Sequence, residues 1–500
     1  MLIDARDPAV ELTRETQVLI VGAGPVGLTL AEELADIVDV LLIESGGLEQ
    51  DPKIDAINAG ETIGANYPLE ETRTRRLGGS LALWAGWIAP FDAHDFQQRA
   101  WVPNSGWPFG RETLEPYFAK SAHRLNLLDP SFDVRELARA CEIPLPLDDG
   151  VVTPGVWRFG SPTWRFGEAD RVRLTSSRGP TVLTHASVVD LRLQNNHDEI
   201  KDVAIRTLEG REGKVSADVV VLACGGLETA RLLLNANRQK PAGLGNSSGL
   251  LGRFFMEHPH LTFESLLLQR PDLLPGTTER RCDGGGREFV INFGLAPEVQ
   301  KAAQLLNGRA HIYRTPAMSY DELPKVGLFM EQAPNPASRI TLSDQRDCLG
   351  LRRLILDWQL CELDWSTYRQ TQEVFIEFFE QMRAGCRIGK QSAAVSRVAV
   401  LHSNHHLGTT RMSECCDEGV VNANCRVHDV ENLYLIGGNV FPNVSWANPT
   451  FTVIAMTYRL ADYLRSMLCN ERNLQRQQRD ARASGTSAAR TESQAIPVSF

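Results

Sequence analysis

The stretch Thr16 to Gly47, TQVLIVGAGPVGLTLAEELADIVDVLLIESGG, decides the fold. An apolar run of strand length, Val18 to Val21, leads into Gly22, Gly24 and Gly27 at GxGxxG spacing. Val26 to Leu34 then reads as helix, and a second apolar run, Val40 to Ile43, closes on Glu44. Each part suits a dinucleotide. Gly22 permits the tight turn, Gly24 lets backbone approach a pyrophosphate, and Gly27 lets helix and strand pack closely. The helix start offers free N–H groups and a positive dipole end to the phosphates. Glu44, 22 residues past Gly22, can accept hydrogen bonds from a ribose diol. A lone GxGxxG is weak evidence, but here strand, glycines, helix, second strand and acid follow in order within about thirty residues. The acid would repel a 2′-phosphorylated cofactor, which leaves FAD or NAD.

The chain has 500 residues, 43% of them hydrophobic, enough for two large domains or interleaved ones. Its net charge of −10 disfavours both a broad nucleic-acid surface and docking on anionic membranes. No apolar run reaches the ~18–20 residues that span a bilayer, so neither nucleic acid nor membrane is an expected partner. The opening MLIDARDPAVELTRETQ has no basic segment followed by an apolar core; no signal peptide is read, and the protein is expected to be cytoplasmic. The ten cysteines form no CxxC pair and no His/Cys cluster at zinc spacing, so no metal is expected. The adjacent Cys415 and Cys416 read as ordinary loop thiols.

Asp51 to Arg76 is polar and turn-rich and reads as an extended connection over the surface. Leu77-Gly78-Gly79-Ser80 follows, a glycine pair suited to backbone packed against a flat ring, and then Trp84 and Trp87. A helix is expected from about Glu112, and long loops near a site from Asp129 to Phe166, which is rich in Pro, Gly and Trp without a period. Val182 to Leu193 alternates as a strand should, and a meander continues from Glu199 to Val215. Ala217 to Leu234 returns to a buried strand, a Gly-Gly turn and a helix start, so the nucleotide domain draws on distant segments. Five strands are expected next, at Arg287–Ala296, Arg309–Arg314, Val326–Gln332, Ser338–Ser343 and Arg352–Leu360. A long helix, roughly Asp364 to Met382, follows them with Tyr368, Val374, Phe375, Phe378 and Phe379 on its apolar face. That order predicts a mixed antiparallel layer in a second domain. Past Cys469 the chain turns polar and predicts a disordered tail.

Two late stretches concentrate reactive side chains: SNHHLGTTRM from Ser403, and VFPNVSWANPTFTV from Val440. In the second, Asn448 is a good N-cap and Pro449 suits the first position of a helix reaching about Leu464. Taken singly, a histidine pair in a loop is more often structural than catalytic, and an Asn-Pro at a helix start is more often only a cap. The order of segments says more. VGAGPVGLTLAEEL with IESGG, LGGS, SGWPF, VVLACGGLETARLLL, LLGRFFMEHP, PNPASRITLS, HHLGTTRM and LIGGNVFPNVSWANPTFTVIAMTYRLADYL succeed one another from about Thr16 to Leu464. In this the chain resembles the glucose–methanol–choline (GMC) oxidoreductases, FAD-dependent enzymes that oxidise alcohols.

The resemblance implies an α/β fold, with a Rossmann-like FAD-binding domain of GMC/p-hydroxybenzoate-hydroxylase type and a substrate-binding domain built on an antiparallel sheet flanked by helices. The FAD-binding domain would comprise residues 1–80, 181–260 and 401–468, the last including the catalytic loop. Residues 81–180 would cover the flavin and the substrate side, 261–400 would form the substrate-binding domain, and 469–500 the tail. FAD is the implied cofactor. Gly22, Gly24, Gly27 and Glu44 would hold its ADP half, and Val188 would contact the adenine side through its backbone. Gly78, Gly79 and Ser80 would lie along the pyrophosphate and flavin. Gly438, Asn439 and the backbone at Asn448, Pro449 and Thr450 would meet the ribityl chain and pyrimidine edge.

His405, three residues before Gly408-Thr409, stands where the family has its catalytic histidine, with His406 as the fallback. Asn448, just before a proline, matches the family's second polar residue. Some members tether FAD through a histidine four positions past the second glycine of the GGS motif; here that position is Leu83, so FAD is expected to bind non-covalently. Trp84 and Trp446 are candidates for the substrate pocket. The implied reaction turns CH–OH into a carbonyl: His405 takes the hydroxyl proton, hydride passes to flavin N5, and Asn448 orients the oxygen. A sugar or other polyol, or a secondary-metabolite alcohol, is the expected substrate, with oxygen, a quinone or another acceptor reoxidising the flavin. The alternative is a lyase of the same fold, of the cyanohydrin-cleaving kind, that keeps FAD with no net redox.

Overall fold

The computed structural model describes residues 1–145, 150–263, 265–314, 322–388 and 400–483, with backbone alone over 471–483. The apolar run Val18 to Val21 is the inner half of a longer strand, Arg14–Val21, which lies parallel between Val40–Ile43 and Glu212–Leu222. Thr181–Thr184 and Leu2–Asp4 extend the parallel part beyond Val40–Ile43. Runs without polar alternation are what strands covered on both faces require, and Val18, Leu19, Ile20 and Leu42 are fully buried. The helix Pro25–Leu34 covers one face and packs on the long terminal helix Thr450–Ala483. On the far side Ser187–Leu193 and Ile200–Arg206 fold back antiparallel onto the first residues of Glu212–Leu222. Leu433–Leu435 takes over beside its last residues, in parallel. The sheet thus has eight strands among the described residues, drawn from 2–43, 181–222 and 433–435.

A second sheet is antiparallel throughout. His260–Thr262, Lys325–Met330, Gly308–Tyr313 and Glu288–Leu295 lie in that order, and both Arg281–Cys282 and Val152–Phe159 pair with Glu288–Leu295. The helix Glu362–Gln381 packs under it, setting Phe375 against Phe263 and Phe378 against Phe293. Among the described residues no helix is long and apolar enough to cross a membrane.

Several stretches differ from the sequence reading. Asp51 to Arg76 is not a surface connection: it contains the strand Glu61–Gly64 and buries Tyr67 and Thr72. The region from Asp129 to Phe166 holds the helix Val134–Ala140 and the strand Val152–Phe159, whose last four residues are all buried and so show no alternation. Val182 to Leu193 is two strands, broken where His185 adopts φ of 57°. Two of the five expected strands leave the second sheet: Arg339–Arg346 and Arg352–Trp358 join Glu61–Gly64 in a separate three-stranded sheet. The helix expected from Glu112 begins at Phe118, after two 3-10 turns. The terminal helix runs past Leu464 to Ala483, because NERNLQRQQRDARA is rich in strong helix formers. The rest of the expected tail, 484–500, lies outside the described residues.

Candidate active site

A cavity of about 390 Å³ extends from the C-terminal ends of the parallel strands to the start of the terminal helix. Its nucleotide end follows from the glycines. Gly22 sits at φ of +101°, and a Cβ on Gly27 would overlap the carbonyl oxygen of Gly22, so only glycines let the helix start this close to the strand. Gly24 behaves oppositely: a Cβ there would meet no protein atom within 4 Å, and the residue lines the cavity. Glu44 is fixed by the N–H groups of Ala23, 2.9 Å from Oε2, and Gly46, 3.0 Å from Oε1, which leaves lone pairs on both oxygens. Burial raises its pKa. An open glycine cradle, unpaired helix N–H groups and an acid at the ribose position fit the ADP half of FAD. At the other end Trp84 Nε1 and His406 Nε2 are buried on the cavity wall without a hydrogen-bond partner among the described residues, as a polar ring edge would find them. Leu83 lines the cavity at the position where a tethering histidine would stand.

His405 and Asn448 both line this cavity. Nδ1 of His405 lies 2.7 Å from Nδ1 of His258, so Nε2 is the ring nitrogen left for a ligand. Burial, reinforced by His258 and His406, pushes the His405 pKa well below its ordinary value, which keeps the ring neutral. Asn448 accepts the indole N–H of Trp157 at 3.0 Å. An indole nitrogen only donates, so this bond assigns Oδ1 to the tryptophan and leaves Nδ2 as a free donor. The helix starts one residue later than the sequence suggested. Its first bond runs from Val453 N–H to Pro449 C=O at 2.9 Å, and the Asn448 side chain serves Trp157 instead of capping.

The loop that carries His405 is clamped by buried Glu257. Oε1 accepts the N–H of His405 at 2.8 Å, the N–H of Ser403 at 3.1 Å and the Tyr67 hydroxyl at 3.0 Å. Oε2 accepts the N–H of His258 at 2.6 Å. Burial raises the Glu257 pKa to about 8 against the pull of these donors. Glu257, His258 and His405 bring ligand atoms within 4.8 Å of one another, yet the carboxylate is taken by donors and the two Nδ1 atoms by each other, so the set reads as a hydrogen-bonded one. Nearer the nucleotide end, Glu228 on the helix Gly226–Asn235 pairs with Arg75 at 2.8 Å and Arg231 at 2.9 Å. Burial opposes its ionisation, but Arg75, Arg231 and Arg73 together hold it far below the carboxylate range.

One cavity therefore gathers Gly22, Gly24, Glu44, Gly79, Ser80, Trp84, Val188, Gly438, Pro449, Thr450 and His406 around His405 and Asn448. Gly27 contributes by packing alone. Gly78, Asn439 and Trp446 are not among the residues that line the cavity. Gly78 turns the chain with its N–H on Ala23 C=O at 2.9 Å, and Asn439 donates to Thr410 at 2.7 Å. Trp446 gives its N–H to Asp92 at 2.7 Å and sets its ring edge-on to Trp157, the partner of Asn448. The sequence reading missed Tyr67, Glu257 and His258; its only signal was the pair of ionisable residues before the proline of LLGRFFMEHP.

Residues 17–244 match the model of FAD dependent oxidoreductases and residues 334–457 that of GMC oxidoreductases. The chain is similar to 2-methyl-1,2-propanediol dehydrogenase of Mycolicibacterium austroafricanum, 24% identical with 90% of this chain and 95% of that protein covered. It is also similar to 6‴-hydroxyparomomycin C oxidase of Streptomyces lividus, 24% identical with 92% and 93% covered. Among solved structures, pyridoxine 4-oxidase from Mesorbium loti shares the fold at a TM-score of 0.59 and 21% identity, with 89% of this chain and 98% of that one covered.

Proposed function

Because the chain belongs to the GMC oxidoreductase family, as an FAD-dependent alcohol oxidase or dehydrogenase, we propose that His405 is its proton acceptor and Asn448 the group that orients the alcohol. The observation that carries this reading is the meeting of the two side chains on the cavity that the glycine turn opens. FAD, when bound, supplies the two-electron acceptor. Gly24, Glu44 and the start of the helix Pro25–Leu34 would hold its ADP half, and Gly79, Ser80 and the backbone at Pro449 and Thr450 its flavin side. Neutral His405 takes the hydroxyl proton at Nε2, the nitrogen not engaged by His258. Asn448 Nδ2 donates to the same alcohol oxygen, and its bond to Trp157 keeps the carboxamide from rotating. Fixing both groups before the substrate arrives removes orientational entropy from the barrier.

The substrate in this reading is a hydroxyl-rich alcohol, such as a sugar or polyol. The propanediol and the hydroxyparomomycin in the names of the similar proteins support that class. Leu83 in place of a histidine supports non-covalent FAD, so acid precipitation is expected to release the flavin into the supernatant. The test of function is an anaerobic screen of sugars and alcohols that follows loss of the flavin's visible absorbance. Bleaching by a hydroxyl-rich alcohol is expected. A flavin that is bound yet inert to every alcohol would overturn the reading. His405→Ala is expected to keep FAD and slow flavin reduction by about 10²–10⁴-fold.

A further inference from the structure

The run LLGRFFMEHP supplies two ionisable residues that the reaction above leaves unused, Glu257 and His258. Its backbone is laced to the His405 loop by two reciprocal pairs, Met256 with Leu407 at 3.0 and 3.1 Å and His260 with Leu401 at 2.9 and 3.1 Å. Between those pairs, the N–H groups of Ser403 and His405 meet the Glu257 carboxylate. The Ser403 hydroxyl returns a bond to the His258 carbonyl at 3.0 Å.

We propose that His258 and Glu257 are positioning residues for proton abstraction: His258 Nδ1 accepts the Nδ1–H of His405, which leaves His405 Nε2 unprotonated for the alcohol, and Glu257 holds the two histidines in register. The inference rests on His405 being the proton acceptor.

A neutral imidazole carries one proton on two nitrogens. Two Nδ1 atoms 2.7 Å apart must share one proton between them. If His258 were the donor, His405 would carry its own proton on Nε2 and could not act as a base. If His405 is the donor, Nε2 has a lone pair, and His258 carries its proton on its own Nε2. Besides His405, the ring's other partner is the Ser445 backbone, which favours a proton on the imidazole, as this tautomer requires. The His258 ring is held stacked on Phe329 at 5.2 Å and edge-on to His405 at 4.8 Å. Burial lowers the His258 pKa to about 3, so it stays a neutral acceptor and never sets a second N–H against His405. During abstraction the alcohol O–H bond breaks and the proton moves to His405 Nε2. The cation so formed keeps its Nδ1–H on His258, now as a charge-assisted bond. The titratable groups around His405 are His258, His406 and Glu257, with Tyr67 behind Glu257.

The test has two readouts. In flavin-free protein labelled with ¹⁵N-histidine, the ring nitrogen shifts report the tautomer. His405 is expected as the Nδ1–H form in the parent protein and to lose that preference in His258→Phe, which keeps the ring packing and removes both nitrogens. In FAD-loaded enzyme, His258→Phe is expected to slow anaerobic flavin reduction about 10–100-fold, the range known for losing the partner that orients a metal-bound histidine. His258→Asn, whose Oδ1 can accept from His405, is expected to recover most of the rate. Glu257→Gln, which can no longer accept from every backbone donor, is expected to fall between. An Nε2–H tautomer in the parent protein overturns the proposal, as does a wild-type rate in His258→Phe or equal rates in the Phe and Asn variants. A wild-type rate in His405→Ala would instead sink the assignment of the base.

Discussion

Asn448 has one carboxamide and two demands on it, and the Trp157 indole meets one of them. Trp157→Phe keeps the edge contacts to Trp87 and Trp446 but leaves Oδ1 unpaired and the carboxamide free to turn over. A lost neutral hydrogen bond of about 1 kcal/mol predicts a roughly five-fold fall in kcat/KM, measured in steady state with the FAD content unchanged. His405 makes a prediction about pH. A base works in its neutral form, and its pKa is pushed well below 6.5. Flavin reduction is therefore expected to stay flat as pH falls through 6.5, where a histidine of ordinary pKa would lose half its activity; stopped-flow traces across that range decide it. That His405 and Asn448 would meet on one cavity was legible in the sequence, because each has a fixed offset from a Gly-Thr or a Pro. Glu257 was not, since its role exists only once Tyr67, 190 residues away, and Ser403, 146 residues away, reach its two oxygens.

The strand–turn–helix element was read correctly from its period and its glycines, and it lets their roles be separated by experiment. Gly27→Ala drives a Cβ into the Gly22 carbonyl, so the variant is expected to lose thermal stability even without FAD. Gly24→Ala meets nothing within the protein, so its flavin-free melting temperature is expected to match the parent while FAD affinity falls about ten-fold or more, because the new methyl occupies space a phosphate needs. Flavin-free melts and FAD titrations distinguish the two. The strand Val152–Phe159 escaped because alternation marks a strand only where one face meets water, and its last four residues, Arg158 among them, are all buried. The strands Arg339–Arg346 and Arg352–Trp358 were legible as strands but not as members of a separate sheet. Their partner, Glu61–Gly64, is exposed and polar enough to pass for a loop.

Five of the eleven imidazoles sit where burial strongly disfavours their charge. His258 and His406 have pKa values lowered to about 3 and His260 to about 4, while His311 and His405 lie well below the ordinary value, burial being the main cause in each. As pH falls through 6.5 the unfolded chain gains protons that the folded one refuses, so stability falls with pH. Asp95 and Asp364, both raised to about 6, work the other way until pH reaches their unfolded values near 4. The flavin-free protein is therefore expected to lose stability gently between pH 6.5 and about 4.5 and steeply below, followed by thermal melts in a buffer series. The interleaving of distant segments in the parallel sheet was legible because its strands end in recognisable glycine turns at Gly22, Gly225-Gly226 and Gly437-Gly438. Those turns also set a timetable. A ribosome makes the cradle at Gly22 early, but the opposite wall, from Ser403 to Val453, follows only after every other part of the cavity. A nascent chain that lacks this wall has no complete cavity to hold a cofactor. A product truncated ahead of Leu433 also leaves Val220–Leu222 without its parallel neighbour, an open strand edge that invites pairing with another chain. Premature termination would yield a sticky, colourless polypeptide and no weakened enzyme.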